Sequence, residues 1–434
     1  MVVRRAGRSV VRTVGALRGE GRGWIVLAVA AGWLLVLGTR VVLPALLPQV
    51  TAAFDIDNAT AGVVVSLVWG GYAVTQFPAG LLADRIGERR TLVTSVVLTV
   101  VAVAAFALAP TFLLFVAGGV LFGLATGIYA PPRVTVLAKV FEESEGSALG
   151  VTFAAGNVGA ALLPVVAGVL AVTVGWRWGF GFVALPLCLV AVGLWVFLPD
   201  DAGDTESGFS APPRDVAHRL ADVATHRAFL LAWVSMTLVL FTYQGITAFL
   251  PTYLIEVKGL SQGVASAVYG LFFASGATCQ YLAGSVSDRF DETRVLAAIA
   301  GFGVLTLAAL PFVDGLVGLA AVSVLLGSRL GLGSVGNGYV ADILPADVRG
   351  SGYGLFRTFY LAVGATGSMF VGLLASRDLF DEAFLALAAV TALAALLYTR
   401  LPDADDPEYE TDAVATRAVP PGDDAGEERD GPTD

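Results

Sequence analysis

The chain has 434 residues, of which 56% are hydrophobic and only 14% charged, with a mean hydropathy of +0.77. Soluble domains carry about 25% charged residues, so this balance excludes a soluble enzyme, a nucleic-acid binder and a disordered protein. The net charge of −10 sits entirely in residues 401–434, which hold twelve acidic residues and two arginines, while residues 1–400 carry 24 of each sign.

Residues 1–22 are basic, with Arg4, Arg5, Arg8, Arg12, Arg18 and Arg22, and lead into an apolar run from Trp24. That run is too long for a cleaved signal peptide and reads as a retained first span. Apolar stretches of crossing length lie at 24–48, 62–83, 91–109, 112–134, 147–172, 177–198, 228–253, 263–287, 295–313, 316–341, 349–376 and 380–400. The third and fourth are joined only by a tight turn at Pro110-Thr111. At roughly 20 residues per span, the expected fold is an all-α integral membrane protein with twelve transmembrane helices. Hydrocarbon offers the backbone no partners, so the spans must be helical, and their continuous apolarity excludes a barrel.

The longest internal interruption is 199–226, with Pro199, Asp200, Asp201, Asp204, Pro212 and Pro213. It reads as a cytoplasmic linker between a six-helix bundle at 23–198 and another at 227–400. The acidic tail at 401–434 contains five prolines and reads as disordered and solvated. With the N-terminus cytoplasmic, the inner side carries twenty Lys/Arg, Arg133 counted among them, and the outer side three: Arg177, Lys258 and Arg377. Both termini are therefore expected in the cytoplasm and the protein in the cytoplasmic membrane. Cys188 and Cys279 fall in apolar runs and read as buried structural thiols. Lysine occurs only at Lys139 and Lys258; this acid-rich, arginine-over-lysine composition resembles proteins of halophilic archaea.

The two halves match at an offset of 204 residues. Gly80, Asp84, Arg85 and Arg90 meet Gly284, Asp288, Arg289 and Arg294; Gln76 meets Gln280; Gly123 and Gly127 meet Gly327 and Gly331; Gly168 meets Gly372. Charged and Gln matches in one register point to two pseudo-symmetric bundles about an axis along the membrane normal, with a site between them.

The loop after the second span reads Gly80-Leu-Leu-Ala-Asp84-Arg85-Ile-Gly87-Glu-Arg89-Arg90, and Asp288-Arg289 is its degenerate copy. Together with Gly175-Trp-Arg177-Trp-Gly-Phe, these motifs resemble the major facilitator superfamily over about 24–400. Read from the residues, Gly80 lets helices approach closely, Gly87 permits a tight turn and Asp84 can cap a helix. The arginines are expected to pair with Glu142, Glu143 or Glu145. The resemblance implies that Asp84 is placed against the start of span eleven, near Arg349, and holds a cytoplasmic gate closed. Two departures count against proton-driven drug export: Pro164 is displaced from the family's span-five motif, and the span-four arginine usual in drug exporters is absent near Gly118-Gly119.

Three arginines lie well within spans: Arg40, Arg329 and Arg357; no Asp or Glu lies mid-span, and both histidines are in the linker. A mid-membrane charge costs roughly 2.5–3.5 kcal/mol on insertion scales and needs a cavity or a partner. Arginine matches carboxylate or phosphate with its planar donors, so an anionic substrate is a candidate partner, a small organic monoanion fitting best. The resemblance implies that spans one, four, seven and ten line the cavity. The expected substrate site is therefore Arg40, Arg329, Gln244 (the repeat mate of Arg40), Tyr243, Tyr129 and Trp33, with Arg357 as an interface or cavity charge. With no titratable group mid-span, no side chain is expected to carry a coupling proton. No cofactor, metal site or nucleic-acid partner is expected, and the chain is expected to be a monomer in the bilayer and not an enzyme. The expectation is a secondary transporter working by alternating access, against an exporter of hydrophobic compounds or a non-transporting sensor on the same fold.

Overall fold

The computed structural model describes residues 22–141, 144–200, 227–343 and 349–402, and among them all regular structure is helical. The linker from 201 to 226, the tail from 403 and Glu142 and Glu143 lie outside the described residues. Ten helices are long and apolar enough to cross a membrane, and Asn58–Val74 with Gln76–Ile86, bent by 42°, makes an eleventh. The expected eighth span, Gln262–Ser287, has the length, 26 residues, but its Gln, Ser and Thr content keeps it outside that group.

Local chemistry sets the ends. Asp57 accepts from the Thr60 amide at 2.9 Å and starts span two; the Thr60 side chain first, and then its amide, hold the Asp57 carboxyl below the usual range. Thr111 starts span four at the tight turn. Gly87 has φ +86°, a conformation costly for any L side chain, and closes the turn between spans two and three. Leucines and valines such as Leu185, Leu189, Val192 and Val196 on span six are 61–70% exposed, a surface that suits lipid and not water. Cys188 is exposed among them, contrary to its reading as a buried thiol.

The 204-residue repeat recurs in the contacts. A Cβ on Gly123 would lie 2.1 Å from the Val68 carbonyl oxygen, and one on Gly327 would lie 2.5 Å from that of Phe272, its repeat equivalent. Between the halves, Gly62 faces Gly372 across spans two and eleven, and Gly168 faces Ser266 across spans five and eight. The offset exchanges these two interfaces. Small residues let the backbones touch, which is how helices gain van der Waals contact in lipid.

At the end formed by residues 45–66 and 256–266, polar pairs join the halves. Gln49 donates to Gln262 at 2.6 Å, Gln262 donates to the Ala45 carbonyl at 2.7 Å, and Asn58 donates to Glu256 at 3.2 Å.

These contacts predict that Gly123→Leu and Gly327→Leu each lower the melting temperature of the purified protein, by the roughly 1–3 kcal/mol of an overpacked interface. Gly80→Ala is expected to leave it unchanged or higher. Thermal unfolding in one detergent checks all three.

Candidate functional site

Arg40 projects from span one into the protein interior, 3% exposed. Its guanidinium lies over the Tyr72 ring at 3.9 Å and the Trp69 ring at 4.7 Å, both on span two. Stacking uses the π-face of a guanidinium and leaves its in-plane N–H edges free. Two of its buried donors, Nε and Nη2, have no hydrogen-bond partner. They form one side of the fork, the side that matches two oxygens of a carboxylate or phosphate. Tyr243, on span seven, is within electrostatic reach of Arg40. Gln244 beside it is fully buried, and both its amide atoms lack partners.

Arg357, on span eleven, is half-buried and within electrostatic reach of Arg40 and Tyr72. Arg133 joins the same group. Counted above with the basic residues of the cytoplasmic face, it is instead 4% exposed and lies over Trp33 at 4.0 Å and Phe153 at 4.9 Å. Its Nε and Nη1 have no partner, and Tyr72 and Arg357 are within electrostatic reach. The sequence reading therefore missed Arg133 and Tyr72. A signal existed for Arg133: its repeat mate is Asn337, a polar residue on the cavity wall of span ten.

Two expected ligands have other work. Tyr129 is fully buried, stacks on Trp33 and donates its hydroxyl to the Val29 carbonyl at 2.9 Å, pinning span four to span one. Arg329 sits on a single 3-10 turn, Gly327–Leu330, that interrupts span ten. Its Nη1 donates to Thr391 Oγ1 at 3.1 Å and its Nη2 to Thr242 Oγ1, so threonine hydroxyls satisfy it within the second half. It still borders a cavity of about 210 Å³ between the halves, along with Leu37, Asn157, Tyr243, Gln280 and Asn337.

The loop motif differs in detail from its reading. A Cβ on Gly80 would meet nothing within 4 Å, so close approach among the described residues does not require glycine there. Gly87 does turn tightly. Arg89 and Arg90 each lie 3.9 Å from Asp200 at the end of span six, and Arg89 stacks on Trp195; of the expected partners, Glu142 and Glu143 lie outside the described residues. Lys139 pairs with the buried Glu88 at 2.6 Å. Asp84, Arg85, Asp288 and Arg289 are exposed, and the side chain of Arg349, the expected neighbour of Asp84, lies outside the described residues.

Tyr129→Phe is expected to cost about 1 kcal/mol of stability, the worth of one hydrogen bond, with no change in which solutes bind. Unfolding with and without ligand checks it.

A family model described as Major Facilitator Superfamily matches residues 28–336. A probable hexose phosphate transport protein of Chlamydia muridarum is 25% identical over 57% of this chain and 60% of its own length, so the chain spans under two thirds of that relative. A gallate transporter of Pseudomonas putida is 27% identical, over 75% of this chain and 79% of its own. Among solved structures, a bacterial homologue of the human lysosomal transporter Spinster, inward-facing and unoccupied, superposes with TM-score 0.75 at 17% identity, covering 88% of this chain and 97% of that one. The apolar helices, the recurring interfaces and these matches agree: this multi-pass membrane protein belongs to the major facilitator superfamily.

Proposed function

We propose that the protein is a secondary transporter that carries a small anion across the cytoplasmic membrane by alternating access. The observation that carries this reading is Arg40: a buried guanidinium whose side-on donor pair lacks a partner. Among the described residues, no carboxylate is one of the groups that act on it electrostatically. A bound anion would supply both the missing acceptors and the missing charge. The names of the relatives accord with this, since hexose phosphate and gallate carry anionic groups.

On this reading twelve spans cross the membrane, Gln262–Ser287 included, as two bundles of six joined by the linker at 199–226. The chain acts as a monomer with both ends of the helical region facing the cytoplasm. The end closed by Gln49, Gln262, Asn58 and Glu256 is then the outer one, and rocking of the halves about the Gly62–Gly372 and Gly168–Ser266 interfaces would open it. The acid-rich composition suits a high-salt cell. A second reading has one observation in its favour: the cavity wall also includes Leu37, Met236, Val239 and Phe273, apolar side chains that suit a hydrophobic exported compound.

The test is thermal unfolding of the purified protein against small anions, neutral sugars and hydrophobic amines, since a ligand that binds the folded state raises the melting point. The expected result is stabilisation by anions, lost in Arg40→Gln. Stabilisation by amines alone, unchanged in Arg40→Gln, would support export of hydrophobic compounds.

A further inference from the structure

The anion reading leaves open how much charge the site takes, and the surroundings of Arg40 bear on that. Arg133 is as deeply buried as Arg40 and has its own unpartnered donors, Nε and Nη1. Its guanidinium lies over Trp33 and Phe153, as that of Arg40 does over Trp69 and Tyr72. Tyr72 lies within electrostatic reach of both, and of Arg357. Three cations thus surround one phenol, contributed by spans one, four and eleven. Among the described residues, no carboxylate is one of the groups acting on Arg40 or Arg133.

A single negative charge at Arg40 would leave Arg133 uncompensated in a low-dielectric interior, where each unpaired buried charge is costly. The asymmetry of the repeat sharpens the point. The mates of Arg40 and Arg133 are Gln244 and Asn337, so the first half supplies cations where the second supplies neutral amides. Arg40 and Arg133 both come from the first half, and both act on Tyr72.

We propose that the site takes a doubly charged anion, such as a phosphate monoester or a dicarboxylate, with Arg133 a second binding residue beside Arg40. The inference rests on the anion-carrier reading above and replaces the monoanion expected from sequence. One acidic group engages Nε and Nη2 of Arg40. The remaining charge faces Arg133.

The experiment measures dissociation constants for matched pairs that share a skeleton and differ in charge: glucose 6-phosphate against glucose 6-sulfate, and succinate against its monomethyl ester. In the wild type, at least one dianion should bind roughly tenfold tighter than its monoanionic partner, the factor given by about 1.4 kcal/mol of added interaction. Which pair shows the preference separates phosphate ester from dicarboxylate. Arg133→Gln should bring the preferred ratio near one, Arg133→Lys should retain most of it, and Arg40→Gln should abolish both members of the pair. Equal affinities in the wild type overturn the proposal without recourse to any variant. A ratio unchanged by Arg133→Gln, in protein that melts as the wild type does, overturns the role of Arg133. Binding of monoanions alone would refute the inference and leave the anion reading standing, whereas binding of no anion would refute both.

Discussion

A guanidinium cannot be left without compensation inside a membrane protein, and the helices around these arginines are arranged by how each one is compensated. Arg329 has partners within the second half: the hydroxyls of Thr391 and Thr242 accept from its Nη1 and Nη2. Arg40 and Arg133 are compensated only in part. Aromatic faces contribute roughly 0.5–2 kcal/mol each to a desolvated cation, which offsets some of the burial cost but satisfies no N–H group. What remains is a demand for oxygen acceptors and negative charge, and on the proposed reading the solute meets it. A site organised this way binds its ligand without a resident counterion to displace.

The scaffold makes such a site movable. Glycines and serines at the two exchanged interfaces, Gly62 with Gly372 and Gly168 with Ser266, let the halves touch through backbone instead of interlocking side chains. Shallow contact surfaces of this kind resist rotation less than ridges driven into grooves. The polar pairs at one end add direction. Gln49–Gln262 and Asn58–Glu256 hold that end together through a few hydrogen bonds, each worth about 1 kcal/mol net, so their loss is an accessible step. Two nearly equivalent halves with unequal charge then give a symmetric hinge around an asymmetric site.

Much of this was legible in the sequence because membranes impose strict rules. Hydropathy placed most helix ends to within a few residues, those of Gln262–Ser287 among them. The repeat register was readable because Asp84, Arg85 and Gln76 have identical mates. Arg40 was found because a charge inside a span needs a cavity or a partner. Arg133 escaped for the opposite reason. It follows Pro131 and Pro132 near a helix end, where a basic residue ordinarily marks the cytoplasmic face, and only packing against Trp33 and Phe153 reveals its burial. Tyr72 carried no sequence signal, since one tyrosine among eleven acquires meaning only from the side chains that stack on it. Gly80 differs in the other direction: its motif matched, but among the described residues nothing lies close to it.

The central claim is that a transported anion is the missing partner of Arg40. Solute counterflow in proteoliposomes tests it most directly, with radiolabelled succinate and inorganic phosphate as anions and glucose as the neutral control. The account predicts saturable counterflow of an anion by the wild type, none of glucose, and loss of the anion signal in Arg40→Gln reconstituted to the same protein density. Anion counterflow undiminished in Arg40→Gln, or counterflow of glucose alone, would contradict it.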